Sequence, residues 1–258
     1  MRRRLRLPGA RVLPRGWIDL IRQFVLFASA VMLYQLVRGL IDGPSYKPFG
    51  DATKIIDFER VLHVFAEPSI QAWVAGQHWL MDFADWTYLN AQFFVTIVAL
   101  AFIYLRRNDS FYFVRNMFMI AMALALVGYT LYPTAPPRLM PEWGFSDSIS
   151  RFLGTGTTWI DNGPEKAFTN FYAAVPSMHV CFALMVGLPL AKLIRVWPLK
   201  LVWSLYPLLI MFVVVATGNH YFLDVLLGAL TAGASALVAG RLLARARPDV
   251  WTFGEVTA

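Results

Sequence analysis

The chain has 258 residues, 58% of them hydrophobic and 15% charged, with a mean hydropathy of +0.53 and a formal net charge of +7. A soluble domain carries about a quarter of its residues as charges, so a water-soluble globule is excluded. The length accommodates about six apolar spans of roughly 20 residues with their connections, and a single integral membrane domain over 1–258 is expected.

A basic arm over 1–16 opens the chain, with Arg2, Arg3, Arg4, Arg6, Arg11 and Arg15. Arg241, Arg245 and Arg247 stand near the other end. Clustered arginines can mark nucleic-acid binding. Here they flank apolar runs, as the positive-inside rule requires, so no nucleic-acid partner is expected. The basic start and Ala28-Ser29-Ala30 have features of a cleaved signal, but the apolar run continues through Leu40. A retained first span over 17–41 is therefore expected.

The next segment, 42–86, is acidic, with Asp42, Asp51, Asp57, Glu59, Glu67, Asp82 and Asp85 against Lys47, Lys54 and Arg60. Ile55, Phe58, Leu62 and Phe65 recur at helical spacing, and Trp73 and Trp79 suit headgroup depth. One or two interfacial helices broken at Pro68 are expected. His63 and His78 read as ordinary interface residues, and Trp79, Trp86, Tyr88 and Tyr104 as aromatic belts. Spans follow at 87–105 and 111–132. The loop 133–174 opens on Pro133-Thr134-Ala135-Pro136-Pro137 and cannot be one continuous helix. The remaining spans are expected at 175–194, 201–218 and 221–242, before a tail over 243–258. Cys181, the single cysteine, can form no intramolecular disulfide and should pack as a small apolar group.

Orientation follows from the cations. Arg106, Arg107 and Arg115 mark one junction as cytoplasmic, and Lys192, Arg195 and Lys200 another. With the two basic ends they imply an even number of spans and both termini inside, in a plasma membrane of bacterial type. The loops 42–86 and 133–174 then lie outside. The expected fold is all-α: a polytopic six-transmembrane-helix bundle with interfacial helices in its first outer loop.

Three polar clusters fall at outer span ends: Arg138, Ser177 with His179, and His220 with Asp224. On a helix, residues four apart share a face. Asp224 could then fix the tautomer of His220 and steady its charge, which makes an activated nucleophile or base. In Pro176-Ser177-Met178-His179, proline suits a first helical turn and serine a cap. The free N–H groups there favour an anion, and His179 could protonate a leaving oxygen. Arg138 supplies a planar fork for phosphate on a proline-stiffened mount. Together these residues suit phosphoryl transfer: His220 attacks phosphorus, Asp224 orients it, and His179 serves as acid and base.

Pro176-Ser177-Met178-His179 and His220-x-x-x-Asp224 resemble two signatures of the type 2 phosphatidic acid phosphatase superfamily. Pro136-Pro137-Arg138, Ala174-Val175-Pro176-Ser177-Met178-His179 and Gly218-Asn219-His220-Tyr221-x-x-Asp224 are similar to its inositol phosphorylceramide synthase branch. The resemblance covers about residues 130–230, and more weakly Glu59–Trp73. It implies a six-span bundle, catalysis without metal or other cofactor, and a phosphohistidine intermediate. It implies His220 as nucleophile, Asp224 as its partner and His179 as acid/base, with Arg138, Ser177 and Asn219 gripping the substrate phosphate. It further implies a lipid phosphate or phospholipid donor and an inositol-like or sugar alcohol, or water, as acceptor. The chain departs from the wider pattern at Leu131, where a lysine stands, at Leu139 for proline, at Val213-Val214 for Ser-Arg, and at Met178 for glycine. Two phosphate-binding cations are thereby missing, with Arg151 and Lys166 as candidate replacements.

Two other readings stay open. His179, His220 and Asp224 could form a two-histidine, one-carboxylate metal site, against which the cation Arg138 argues. A lipid transporter or binding protein without chemistry would instead place polar groups at the bundle midplane.

Overall fold

The computed structural model describes residues 13–40, 46–154, 172–248 and 253. The basic arm up to residue 12, Lys166 and most of the tail lie outside the described residues. Among the described residues the structure is helical, and its one β pairing is an isolated bridge between Thr134 and Ala173. The helices are α1 (Gly16–Leu40), α2 (Tyr46–Val61), α3 (Glu67–Ala75), α4 (His78–Arg106) and α5 (Asn108–Leu131). They continue with α6 (Ser148–Leu153), α7 (Met178–Leu193), α8 (Trp197–Ala216) and α9 (Phe222–Val238). A π-turn (Ala239–Leu243) and a last turn (Ala244–Ala246) prolong α9.

Among the described residues five helices are long and apolar enough to cross a membrane: α1, α4, α5, α8 and α9 with its extension. The sixth expected span, α7, has 16 residues, about 24 Å at 1.5 Å per residue against a hydrocarbon core of ~30 Å. It is the inner helix of the bundle, packed by α4, α5, α8 and α9. The second span begins earlier than expected. α4 starts at His78, not at 87, so the end of the expected outer loop belongs to this 29-residue helix. The rest of that loop holds α2 and α3, which dock against the bundle through α9, α8 and α4. The break between them precedes Pro68, which sits in the first turn of α3, where its missing N–H costs nothing.

Lipid tails are as apolar as leucine, so helices in a bilayer associate through close packing. Ala121, Ala125 and Gly128 follow one face of α5, and Ala121 and Ala125 pack with Phe118, Cys181, Phe182 and Met185 in the main core. Cys181 is thus the small apolar filler expected. Gly228 of α9 and Gly128 of α5 close on the Val175-Pro176-Ser177 turn from two sides: a Cβ on Gly228 would collide with the Ser177 carbonyl, and one on Gly128 with Pro176.

Near the start of α1, a polar network ties α1 to α4 and α5. Asp19 accepts from Tyr104 Oη at 2.9 Å and Tyr112 Oη at 2.8 Å, and Gln23 Nε2 donates to Asp19 at 2.9 Å. Arg115 completes it, donating to Gln23 and to Asn116 Oδ1. Its residue exposure is 7%, so Arg115, one of the cations at the junction of the second and third spans, is also an interhelical tie.

Replacing Gly228 with alanine should cost about 1–3 kcal/mol by overpacking, because backbone must move. The expected result is a lower unfolding temperature in detergent together with lost turnover. A Gly228→Ala protein as stable as the parent would show that α9 and the Ser177 turn are not held at this distance.

Candidate active site

The site is assembled by turns at one end of the bundle. After α8 the chain reverses at Gly218, whose φ of 66° is the left-handed conformation glycine adopts freely. The next two N–H groups, of Asn219 and His220, both donate to Val214 O, at 3.0 and 3.1 Å. This turn leaves His220 outside α9. The expected i, i+4 helical pair is therefore not a helical pair. His220 precedes the helix, Tyr221 is its N-cap, and Asp224 lies in its first turn. The two still meet, with His220 Nδ1 at 3.3 Å from Asp224 Oδ2. The same Oδ2 accepts the Tyr221 N–H at 3.0 Å, so the helix start fixes the carboxylate.

Ser177 caps α7, its Oγ accepting from Val180 N at 3.5 Å. Its own N–H donates to the Asp224 carbonyl at 3.1 Å, locking the starts of α7 and α9 together. His179 follows in the first turn of α7 and stacks on Tyr88 of α4, with ring centroids 4.2 Å apart. The His179 and His220 rings are 5.9 Å apart.

Arg138 sits in a 3-10 turn (Pro137–Leu139) of the second long loop, and its N–H donates to Gly218 O at 2.7 Å. Its Nε donates to Asn219 Oδ1 at 3.0 Å, and its Nη1 contacts Asp147 Oδ2 at 3.2 Å. Asn219 in turn donates to Thr217 Oγ1 at 2.8 Å. Both polar ends of Asn219 are thus engaged in aiming Arg138. Asp147 also caps α6, accepting from Ser150 N at 3.1 Å.

Arg138, Asn219, His179 and His220 line one cavity of about 550 Å³, joined by Arg38 of α1 and Tyr88. Burial holds the His220 imidazole well below the ordinary histidine value, down to about 3; the Ala174 backbone opposes this, and the Arg38 and Arg138 charges add to it. The ring is neutral at neutral pH and keeps a lone pair for attack. Among the described residues no three His, Cys, Asp or Glu side chains cluster as metal ligands. Arg151, a candidate replacement cation, is exposed on α6 and does not line the cavity.

Behind Asp224 stand two carboxyls of the acidic segment 42–86. Glu59 Oε1 accepts the Leu223 N–H at 2.8 Å, and Glu67 Oε1 accepts the Phe222 N–H at 3.0 Å. Both residues are buried, and their Oε2 atoms have no donor among the described residues. Burial, and then the hydrogen bond and charge of Glu67, push Glu59 up to about 9. A proton kept on Glu59 and facing Glu67 answers the missing donor. A signal was present: Glu59 falls on the same helical face as the buried Ala52, Ile55 and Ile56, where a charge is out of place. Arg38 and Asp147 carry no comparable clue in their spacing.

A family model described as PAP2 superfamily matches residues 53–238, which leaves α1 outside the match. No curated protein and no solved structure matches the chain.

The proton on Glu59 ties stability to pH. Its folded value, about 9, lies above the ordinary 4.5, so the stabilisation is complete below 4.5 and is lost as pH rises toward 9. Glu59→Gln keeps an acceptor for Leu223 N–H and has no proton to lose. Between about pH 5 and 9, the unfolding temperature of the parent should fall more than that of Glu59→Gln. Equal slopes would mean that Glu59 is ionised in the fold.

Proposed function

The chain belongs to the PAP2 superfamily, and on that premise we propose that it is an integral membrane phosphotransferase or phosphatase that forms a phosphohistidine on His220. Superfamily membership supports lipid phosphate chemistry in general. The finer reading is carried by one observation: His220, braced at Nδ1 by buried Asp224, faces His179 across a cavity that Arg138 also lines.

In this mechanism the phosphate of a lipid ester lies in the cavity against both histidines, with phosphorus toward His220 and the leaving oxygen toward His179. The two ring centroids are 5.9 Å apart, so one phosphate ester can touch both rings. His220 Nε2 attacks, the P–O bond to the leaving alcohol breaks, and His179 gives that oxygen its proton. Asp224 accepts from Nδ1–H and stabilises the ring as it becomes charged. His179 then removes the proton of the incoming hydroxyl, whose oxygen attacks phosphorus and breaks the P–N bond. Arg138 and the start of α7 neutralise charge on the phosphoryl oxygens. Water and an alcohol use the same residues, so hydrolysis and transfer differ only in what occupies the acceptor position. The motifs around Arg138, His179 and His220 favour an inositol-like or sugar alcohol. The distribution of lysine and arginine favours the extracytoplasmic face for the site.

The test uses purified protein, labelled lipid phosphates and phosphodiesters, with and without polyols. The parent should trap a labelled phosphoenzyme, keep turnover in chelator, and pass phosphate to polyol as well as to water. His220→Ala should trap none. Asp224→Asn should lower turnover by roughly 10²–10⁴-fold, as loss of base orientation does. Label that persists on His220→Ala overturns the assignment of the nucleophile, and metal-dependent turnover overturns the mechanism.

A further inference from the structure

Arg38 lies in the last turn of α1, a helix outside the family match. Its Nη1 donates to Gln35 Oε1 at 3.3 Å, and both side chains line the cavity that holds Arg138, His179 and His220. The Arg38 and Arg138 charges both depress His220, so both guanidiniums are within electrostatic reach of that ring. A cavity in a low-dielectric surrounding with two fixed cations at one end attracts a phosphate strongly.

Away from this end the cavity walls are apolar, with Phe24, Phe27 and Val31 from α1 and Phe93 and Ile97 from α4. α1 packs chiefly along α5, while α4 packs on α5, α7 and α8. The two helices therefore form opposite walls of a cleft. Phe24 is 72% exposed, Phe93 54% and Ile97 63%, so the walls reach the surface that hydrocarbon would cover and the cleft opens sideways. From Arg38 to Phe24 the helix runs about 21 Å, against ~15 Å for half a hydrocarbon core. The volume, about 550 Å³, falls within the range of ligand pockets.

We propose that Arg38 is a second phosphate-binding side chain of this site, and that the α1–α4 cleft holds a hydrocarbon chain of a lipid phosphate entering sideways from the bilayer. The substrate class is thus an anionic lipid whose phosphate is gripped from two sides, by Arg138 on a loop and Arg38 on α1. A water-soluble phosphate ester would leave the apolar walls unfilled. The proposal rests on the phosphoryl-transfer reading for its chemistry, but its binding claim is tested separately.

The probe is phosphatidic acid carrying a diazirine in one acyl chain, added to the full-length protein in nanodiscs. Photolabelling should fall on α1 near Phe24–Val31 and on α4 near Phe93–Ile97, and excess unlabelled phosphatidic acid should displace it. Arg38→Ala and Arg38→Gln should bind the probe about 10–100-fold more weakly, the loss expected for a hydrogen bond to a charged group. Arg38→Lys should recover most of that loss. Arg22→Ala, on an exposed part of α1, should bind as the parent does. Unfolding temperatures identify any variant that fails to fold, and the remaining two Arg38 variants then decide. Labelling that cannot be displaced, or affinity within twofold of the parent in a folded Arg38→Gln protein, overturns the proposal. A parent that binds the probe but traps no phosphoenzyme sinks the transfer chemistry instead and leaves Arg38 standing.

Discussion

Three consecutive N–H groups at the start of α9 each donate to a different buried carboxyl. Tyr221 donates to Asp224, Phe222 to Glu67 and Leu223 to Glu59. A helix start leaves such donors without partners within the helix and carries partial positive charge, which is why it can hold three acidic groups in a buried place. Much else depends on this junction. Asp224 cannot turn away from His220 while it caps its own helix. α2 and α3 are held over the bundle end by the two glutamates. Through Ser177 N–H on the Asp224 carbonyl, the start of α7 and with it His179 is set relative to His220. The first long loop is therefore built into the support of the site.

Arg138 is held with similar care, and the means is a chain of short-range contacts. Thr217 holds Asn219, Asn219 holds the Nε of Arg138, and Asp147 holds Nη1. An arginine fixed in this way loses little further side-chain entropy when a phosphate arrives. Asp147 has a second duty at the start of α6, and Asp85 of α4 accepts from Ser148 Oγ at 2.7 Å. The second long loop is thereby anchored to α4 at the place where it presents Arg138.

The parts of this arrangement that the sequence made legible are those fixed by local rules. Apolar length marked the spans, serine after proline marked the start of α7, and proline marked the entry to α3. The convergence of Arg138, His179, His220 and Asp224 followed from counting spans and placing their ends on one side. What escaped depended on contacts across the chain. The His220–Asp224 pair looked helical because their spacing is four, yet Gly218 ends α8 late enough to keep His220 in a turn. Arg115 stood out as a charge at a span junction, but nothing in spacing shows that Gln23 and Asn116 receive it inside the bundle. Glu59 and Glu67 stood out only as members of an acidic segment, because their partners lie more than 150 residues further along the chain.

The charges around His220 are sorted by side. Behind the ring lie the carboxyls of Asp224, Glu59 and Glu67. In front, lining the cavity, lie Arg138 and Arg38. Were every carboxyl ionised, the negative layer would offset the field of the arginines on an incoming phosphate, since screening by water is weak in such a place. Burial beside Glu67 raises Glu59 enough to keep its proton at neutral pH, which removes one of those charges while retaining its acceptor for the Leu223 N–H. The junction can then use carboxyl groups to hold the start of α9 without the full electrostatic penalty to the cavity. The same group that supports the helix start thus spares the cavity one negative charge, which favours the approach of an anionic phosphate to a neutral His220.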